Sequence, residues 1–101
     1  MAMKRVVVRY TVKPDKVEEN RTLIDQVFRE LQSKTPDGVR YMVLQLADDS
    51  FLHVAETDDE AAGLPGLAAF QAFRHGLAER WIEPPQSREA AIVGNYRLKA
   101  D

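Results

Sequence analysis

Residues 67–81 read Leu-Ala-Ala-Phe-Gln-Ala-Phe-Arg-His-Gly-Leu-Ala-Glu-Arg-Trp, and the fold follows from them. Phe70, Phe73, Leu77 and Trp81 step by three, four and four positions, which predicts a helix with all four along one side. Such a row of large apolar groups has to lie on a broad surface. The rest of the chain offers one, a sheet assembled from four apolar runs.

The first run, residues 5–12, alternates. Val6, Val8, Tyr10 and Val12 form one face, and Arg5, Val7, Arg9 and Thr11 the other. Pro14 stops it, and Asp15 with Glu18 has capping-box spacing, so a helix begins there. Val17, Ile24, Val27, Phe28 and Leu31 give that helix its stripe, and Asn20 falls inside it. A buried amide needs partners, so Asn20 bonds neighbouring backbone or faces a polar cavity. Thr35-Pro36-Asp37-Gly38 reads as a turn, and two strands, 39–46 and 51–56, flank a hairpin loop at 47–50. In the connection 57–66, Asp58 and Asp59 are placed to cap a short helical turn. Pro84-Pro85 ends the Phe-rich helix, and a last strand is predicted within 88–99, through 91–97.

The order βαββαβ is the ferredoxin-like α+β arrangement, a four-stranded antiparallel sheet with both helices on one face. At 101 residues the chain is expected to form one domain spanning 1–101. A net charge of −2 with dispersed basic residues argues against nucleic-acid and membrane-surface partners. No run is long enough for a membrane span or signal peptide, so a cytoplasmic location is expected. Cysteine is absent, which excludes disulfides and thiol chemistry, and two histidines give no metal-ligand spacing.

The second face of this sheet is too apolar to stay wet. Met42, Leu44 and Leu46 oppose Tyr41 and Val43, and Val7 opposes Val6 and Val8. Leaving the larger groups in water forfeits about 1.5–3 kcal/mol each. A second copy of the chain is the expected cover, giving a homodimer joined sheet to sheet.

The strand order, Val12-Lys13-Pro14-Asp15 after the first strand, the hairpin 43–54 and the late Phe70-Gln71-Ala72-Phe73 helix resemble the dimeric α+β barrel superfamily. Within it, the chain is most similar to small antibiotic-biosynthesis-monooxygenase-like domains. The resemblance implies two protomers packing their sheets into a barrel, with ligands held between sheet and helices. It also implies oxidation of aromatic phenols without metal or flavin in some members and haem degradation in others. The haem-degrading pattern, an Asn on the first strand and a Trp before a His, is not met. Here Val and Arg occupy that strand region, and Trp81 follows His75.

His75 lies about 140° from Phe70 around the helix and reads as a surface partner of Glu79. His53 sits mid-strand beside Phe51 and Ala55, where its ring either accepts a proton from a phenol or is a hydrogen-bonded core histidine. Trp81 is a packing group or one wall of a flat aromatic site. If the strands register accordingly, Tyr10, Tyr41 and Tyr96 gather beneath the helices and Arg9, Arg40 and Arg97 on the other side.

The function expected is a cofactor-independent monooxygenase acting on a small phenol- or quinone-type aromatic compound. His53 and Asn20 are its candidate catalytic residues, and Tyr10, Tyr41, Phe70, Phe73, Trp81 and Tyr96 the candidate substrate-binding residues. A dimeric binding module without turnover and an interaction domain with a filled core are the alternatives.

Overall fold

The computed structural model describes residues 3–58 and 66–98. Strand β1 (Met3–Val12) leads through a 3-10 turn (Pro14–Lys16) into helix α1 (Val17–Lys34). The hairpin strands β2 (Val39–Gln45) and β3 (Ser50–Asp58) follow, then the short helices α2 (Ala68–His75) and α3 (Leu77–Arg80), and strand β4 (Trp81–Glu89). The sheet is antiparallel in the order β2-β3-β1-β4, the ferredoxin-like α+β fold predicted from the sequence.

Four local expectations change. Asp15 is no cap, because Pro14 opens a 3-10 turn and α1 starts after it without a side-chain cap hydrogen bond. The Phe-rich helix is broken at Gly76, so α2 and α3 are separate turns rather than one helix to Trp81. The fourth strand lies at 81–89 and not within 88–99, and Pro84-Pro85 is inside it. Among the described residues β4 pairs only with β1, and its register slips between Arg9 and Val12. An edge strand with bulges tolerates residues that lack an N–H, which is why two prolines fit. Ala90 N still donates to the Arg5 carbonyl at 2.9 Å, and residues 91–98 then run on outside the sheet. The helical turn expected around Asp58 and Asp59 involves residues 59–65, outside the described residues.

Register decides which side chains meet. Val8 lies opposite His53 across β1–β3, and Val43 lies opposite the same histidine across β2–β3. Val6, Val8, Tyr10, Tyr41, Val43, Phe51, His53 and Ala55 therefore share the helix-facing side. The core there is Tyr10, Val12, Val27, Phe51, Leu67 and Phe73. Asn20 is fully buried in the α1 stripe, three residues after Val17 and seven before Val27. α1 closes on Thr35, whose left-handed backbone (φ 41°) lets its N–H reach the Leu31 carbonyl at 2.7 Å.

The opposite face carries Val7, Met42, Leu52 and Val54, all half-buried, with Leu44 46% exposed. Among them Arg5 and Arg40 both reach Glu56. Arg9 pairs with Asp48 at 3.4 Å. Arg97 does not join these arginines, because it lies beyond β4 and stacks on Tyr96.

Candidate functional site

A cavity of about 590 Å3 opens between the sheet and the α2–α3 segment. Its walls are mostly apolar, with Val6, Val8, Phe70, Phe73, Leu77 and Trp81 among them. Phe70 and Phe73 stack with centroids 6.3 Å apart, and Phe70 meets Tyr41 edge-on at 6.5 Å. The polar side chains in its lining are Tyr10, Tyr41 and His53, contributed by three adjacent strands, and Arg74 from α2.

These three belong to a hydrogen-bonded chain of five residues. Tyr41 Oη lies 2.5 Å from His53 Nδ1, and Tyr10 Oη lies 2.8 Å from His53 Nε2. Asn20 Nδ2 donates to Tyr10 Oη at 3.0 Å, and Arg80 Nε donates to Asn20 Oδ1 at 2.9 Å. Arg80 Nη2 also donates to the Phe73 carbonyl at 2.8 Å, and its guanidinium sits 5.1 Å from the Phe73 ring centroid. Asn20, His53 and Arg80 are 0%, 6% and 2% exposed, so each pays the desolvation cost that these bonds offset.

Burial sets the protonation states. It pushes His53 down to about 4, so the imidazole is neutral at pH 7. It pushes Tyr10 up to about 12, against the opposing pull of the Asn20 hydrogen bond and the Arg80 charge. Burial, helped by the nearby Tyr10, raises Tyr41 as well. Arg80 is drawn below its usual value by burial, opposed by Tyr10 and Glu19, and guanidinium is basic enough to stay charged.

Of the candidates read from the sequence, Tyr10, Tyr41, His53, Phe70, Phe73 and Trp81 line this cavity. Asn20 stands behind Tyr10 and acts on the cavity only through it. Tyr96 is not there: it is 83% exposed in the segment after β4, since the strand meant to carry it lies ten residues earlier. His75 is exposed and makes no ion pair with Glu79, because the helix breaks at Gly76 between them. Arg80 is the residue the sequence reading passed over. Its signal was present, since it follows Phe73 by seven residues and so shares its helical face. A Cβ on Gly76 would stand 3.2 Å from Arg80 Nη1, so this glycine leaves room for the guanidinium. Among the described residues, no group of three acidic or histidine side chains could hold a metal.

No protein-family model matches the chain, and no curated protein matches it. Solved structures do. A Nitrosomonas europaea protein provisionally named an antibiotic biosynthesis monooxygenase superposes with a TM-score of 0.74 at 23% identity, over 90% of each chain. One provisionally given the same name, from Bacteroides thetaiotaomicron, superposes with a TM-score of 0.77 at 14% identity, over 98% of this chain and 96% of that one. A conserved protein from Methanosarcina mazei Go1 gives 0.71 at 24% identity, over 89% and 92%. The chain thus has the small α+β fold of the antibiotic-biosynthesis-monooxygenase-like proteins, and at these identities the likeness is one of fold.

Proposed function

We propose that this cavity binds a small electron-rich aromatic compound by its ring and one oxygen, and that the bound compound is oxygenated without a cofactor. The single observation that carries the reading is the Tyr41–His53–Tyr10–Asn20–Arg80 chain, which gives a mostly apolar, aromatic-walled cavity, also lined by Arg74, a set of hydrogen-bonding groups from the sheet. An occupant fitting both parts is flat, apolar over most of its area and oxygenated at one edge. The fold likeness to proteins provisionally named monooxygenases supports oxygenation as the chemistry.

The protein's contribution is to favour the deprotonated ligand. A hydroxyl donor beside a ligand oxygen stabilises its anion more than its neutral form, and the buried Arg80 charge adds to this through the chain. The ligand, a ring ketone with an activated CH2, reacts as its hydroxyl tautomer, in which that CH2 has become CH and the hydrogen sits on the oxygen, and this hydroxyl proton leaves to water. The anion passes an electron to O2, the ring radical and superoxide join at the CH carbon as a peroxide anion, and a proton returned from water completes the carbon-bound hydroperoxide. Loss of water leaves a ring carbonyl, so CH2 and O2 become C=O and H2O and every electron is accounted for.

The partner proposed is a second copy, covering Val7, Met42, Leu44, Leu52 and Val54 on the far side of the sheet from the cavity. The experiment is oxygen uptake with dihydroxynaphthalene and anthrone-type compounds, read with quinone formation. One O2 consumed per quinone formed from anthrone, lost in Tyr41→Phe, is the expected result. Retained ligand binding with no uptake across the panel would leave binding without turnover, and a cavity that takes up none of them would refute both.

A further inference from the structure

The hydrogen-bonded chain has a direction, and Arg80 sets it. Guanidinium can only donate. Arg80 Nε therefore fixes Asn20 with Oδ1 towards itself, and the amide must turn Nδ2 to Tyr10. Tyr10 Oη accepts that bond, and its own proton has one acceptor among the described residues, His53 Nε2 at 2.8 Å. A neutral imidazole that accepts at Nε2 carries its proton on Nδ1, so His53 donates to Tyr41. The Tyr41 proton then has no acceptor among the described residues, and the residue lines the cavity. The reverse arrangement would leave the buried Tyr10 hydroxyl proton without an acceptor and is disfavoured for that reason.

We infer that Tyr41 presents the cavity with a hydrogen-bond donor, so the ligand class selected is one with an acceptor oxygen, a ring carbonyl or phenolate, over a neutral phenol donating its proton. This rests on the proposed binding of an oxygenated aromatic compound and narrows it. Asn20 and Arg80 are positioning residues in this scheme, acting on the ligand through Tyr10, His53 and Tyr41.

The test uses two bicyclic probes with one oxygen on the same carbon, 1-tetralone, which only accepts, and 1-naphthol, which also donates. Binding is measured without oxygen, and the His53 tautomer is read from its ring 15N shifts. Wild type should favour 1-tetralone by about tenfold, the discrimination of roughly one buried hydrogen bond, with the proton on Nδ1. Tyr41→Phe should abolish the preference. Asn20→Asp makes the amide position accept only, which turns every later bond round. The tautomer should move to Nε2–H and the probe preference should invert. If Asn20→Asp does not fold, the wild-type tautomer and Tyr41→Phe decide alone. A proton on Nε2 in wild type, or equal affinities for the two probes, would overturn the inference. Oxygen uptake with no probe preference sinks only this polarity, and a preference without uptake sinks only the oxygenation.

Discussion

Lowering the pH from 7 to 4.5 should weaken the fold mainly through one buried residue, His53. The folded protein holds its imidazole neutral down to about 4, because burial disfavours the charged ring. The unfolded chain takes up the same proton near the ordinary histidine value of about 6.5. Stability is therefore complete above that value, falls as pH drops from about 6.5 to about 4, and loses nothing further from this group below. The whole difference is about 3 kcal/mol, of which about 2 kcal/mol is expressed by pH 4.5. In urea, where such a domain loses about 1–3 kcal/mol per molar, the midpoint should move by roughly 1–2 M. Glu30, held low chiefly by Lys34, and Asp48, held low chiefly by Ser50, add acid sensitivity of the same sign. They do so in wild type and in His53→Gln alike, so the comparison cancels them. The variant should start less stable and lose less on acidification. Parallel pH profiles in the two proteins would refute a buried, neutral His53.

Phe73 is 4% exposed and touches Tyr10, His53 and Arg80, so Phe73→Ala should cost about 3–5 kcal/mol in urea unfolding. Arg80→Met keeps the length but leaves Asn20 Oδ1 and the Phe73 carbonyl without this donor. At about 1–3 kcal/mol for each buried group left unpaired, the loss should exceed that of Arg74→Met, whose guanidinium is exposed over Phe70. A sheet-to-sheet dimer predicts sedimentation as two chains at micromolar concentration. Leu44→Glu with Val54→Glu should return a folded single chain, and sedimentation of wild type as a single chain would refute the dimer.

The architecture was legible because periodicity reports burial directly. Val6, Val8 and Tyr10 alternate and do face the helices, and Asn20 sits in the apolar stripe because its position, not its chemistry, put it there. The fourth strand was not legible for a physical reason. Apolar alternation shows that a segment could half-bury itself in a sheet, and says nothing about which edge is open. Residues 91–97 alternate well, yet the place beside β1 is already filled by the chain leaving α3. Arg80 is held next to the β1 end, its carbonyl accepting from Lys13 N at 2.8 Å, so β4 must begin at Trp81. Two prolines then sit in a strand, and Tyr96 falls outside the site that Tyr10 and Tyr41 share. The hydrogen-bonded chain itself joins residues 10, 20, 41, 53 and 80, distances in sequence that only the strand register and the helix packing could connect.

The acceptors of Arg80 explain why the hydrogen-bonded chain keeps a positive charge. A buried guanidinium is most simply satisfied by a carboxylate, which would cancel its charge. Here Arg80 makes no salt bridge among the described residues. It bonds the Phe73 carbonyl near the end of α2, the Asn20 amide oxygen and the face of the Phe73 ring, which are partial negative charges only. Those neutral acceptors hold the cation in place without cancelling its charge, and that charge acts on Tyr10. Because burial also keeps His53 neutral, the hydrogen-bonded chain holds no second cation, and the Glu19 carboxylate acts on Arg80 through its charge without a salt bridge. An oxygen-centred anion beside Tyr41 would therefore be the first full negative charge in the series, which is the electrostatic condition that an oxygenation beginning from a phenolate needs.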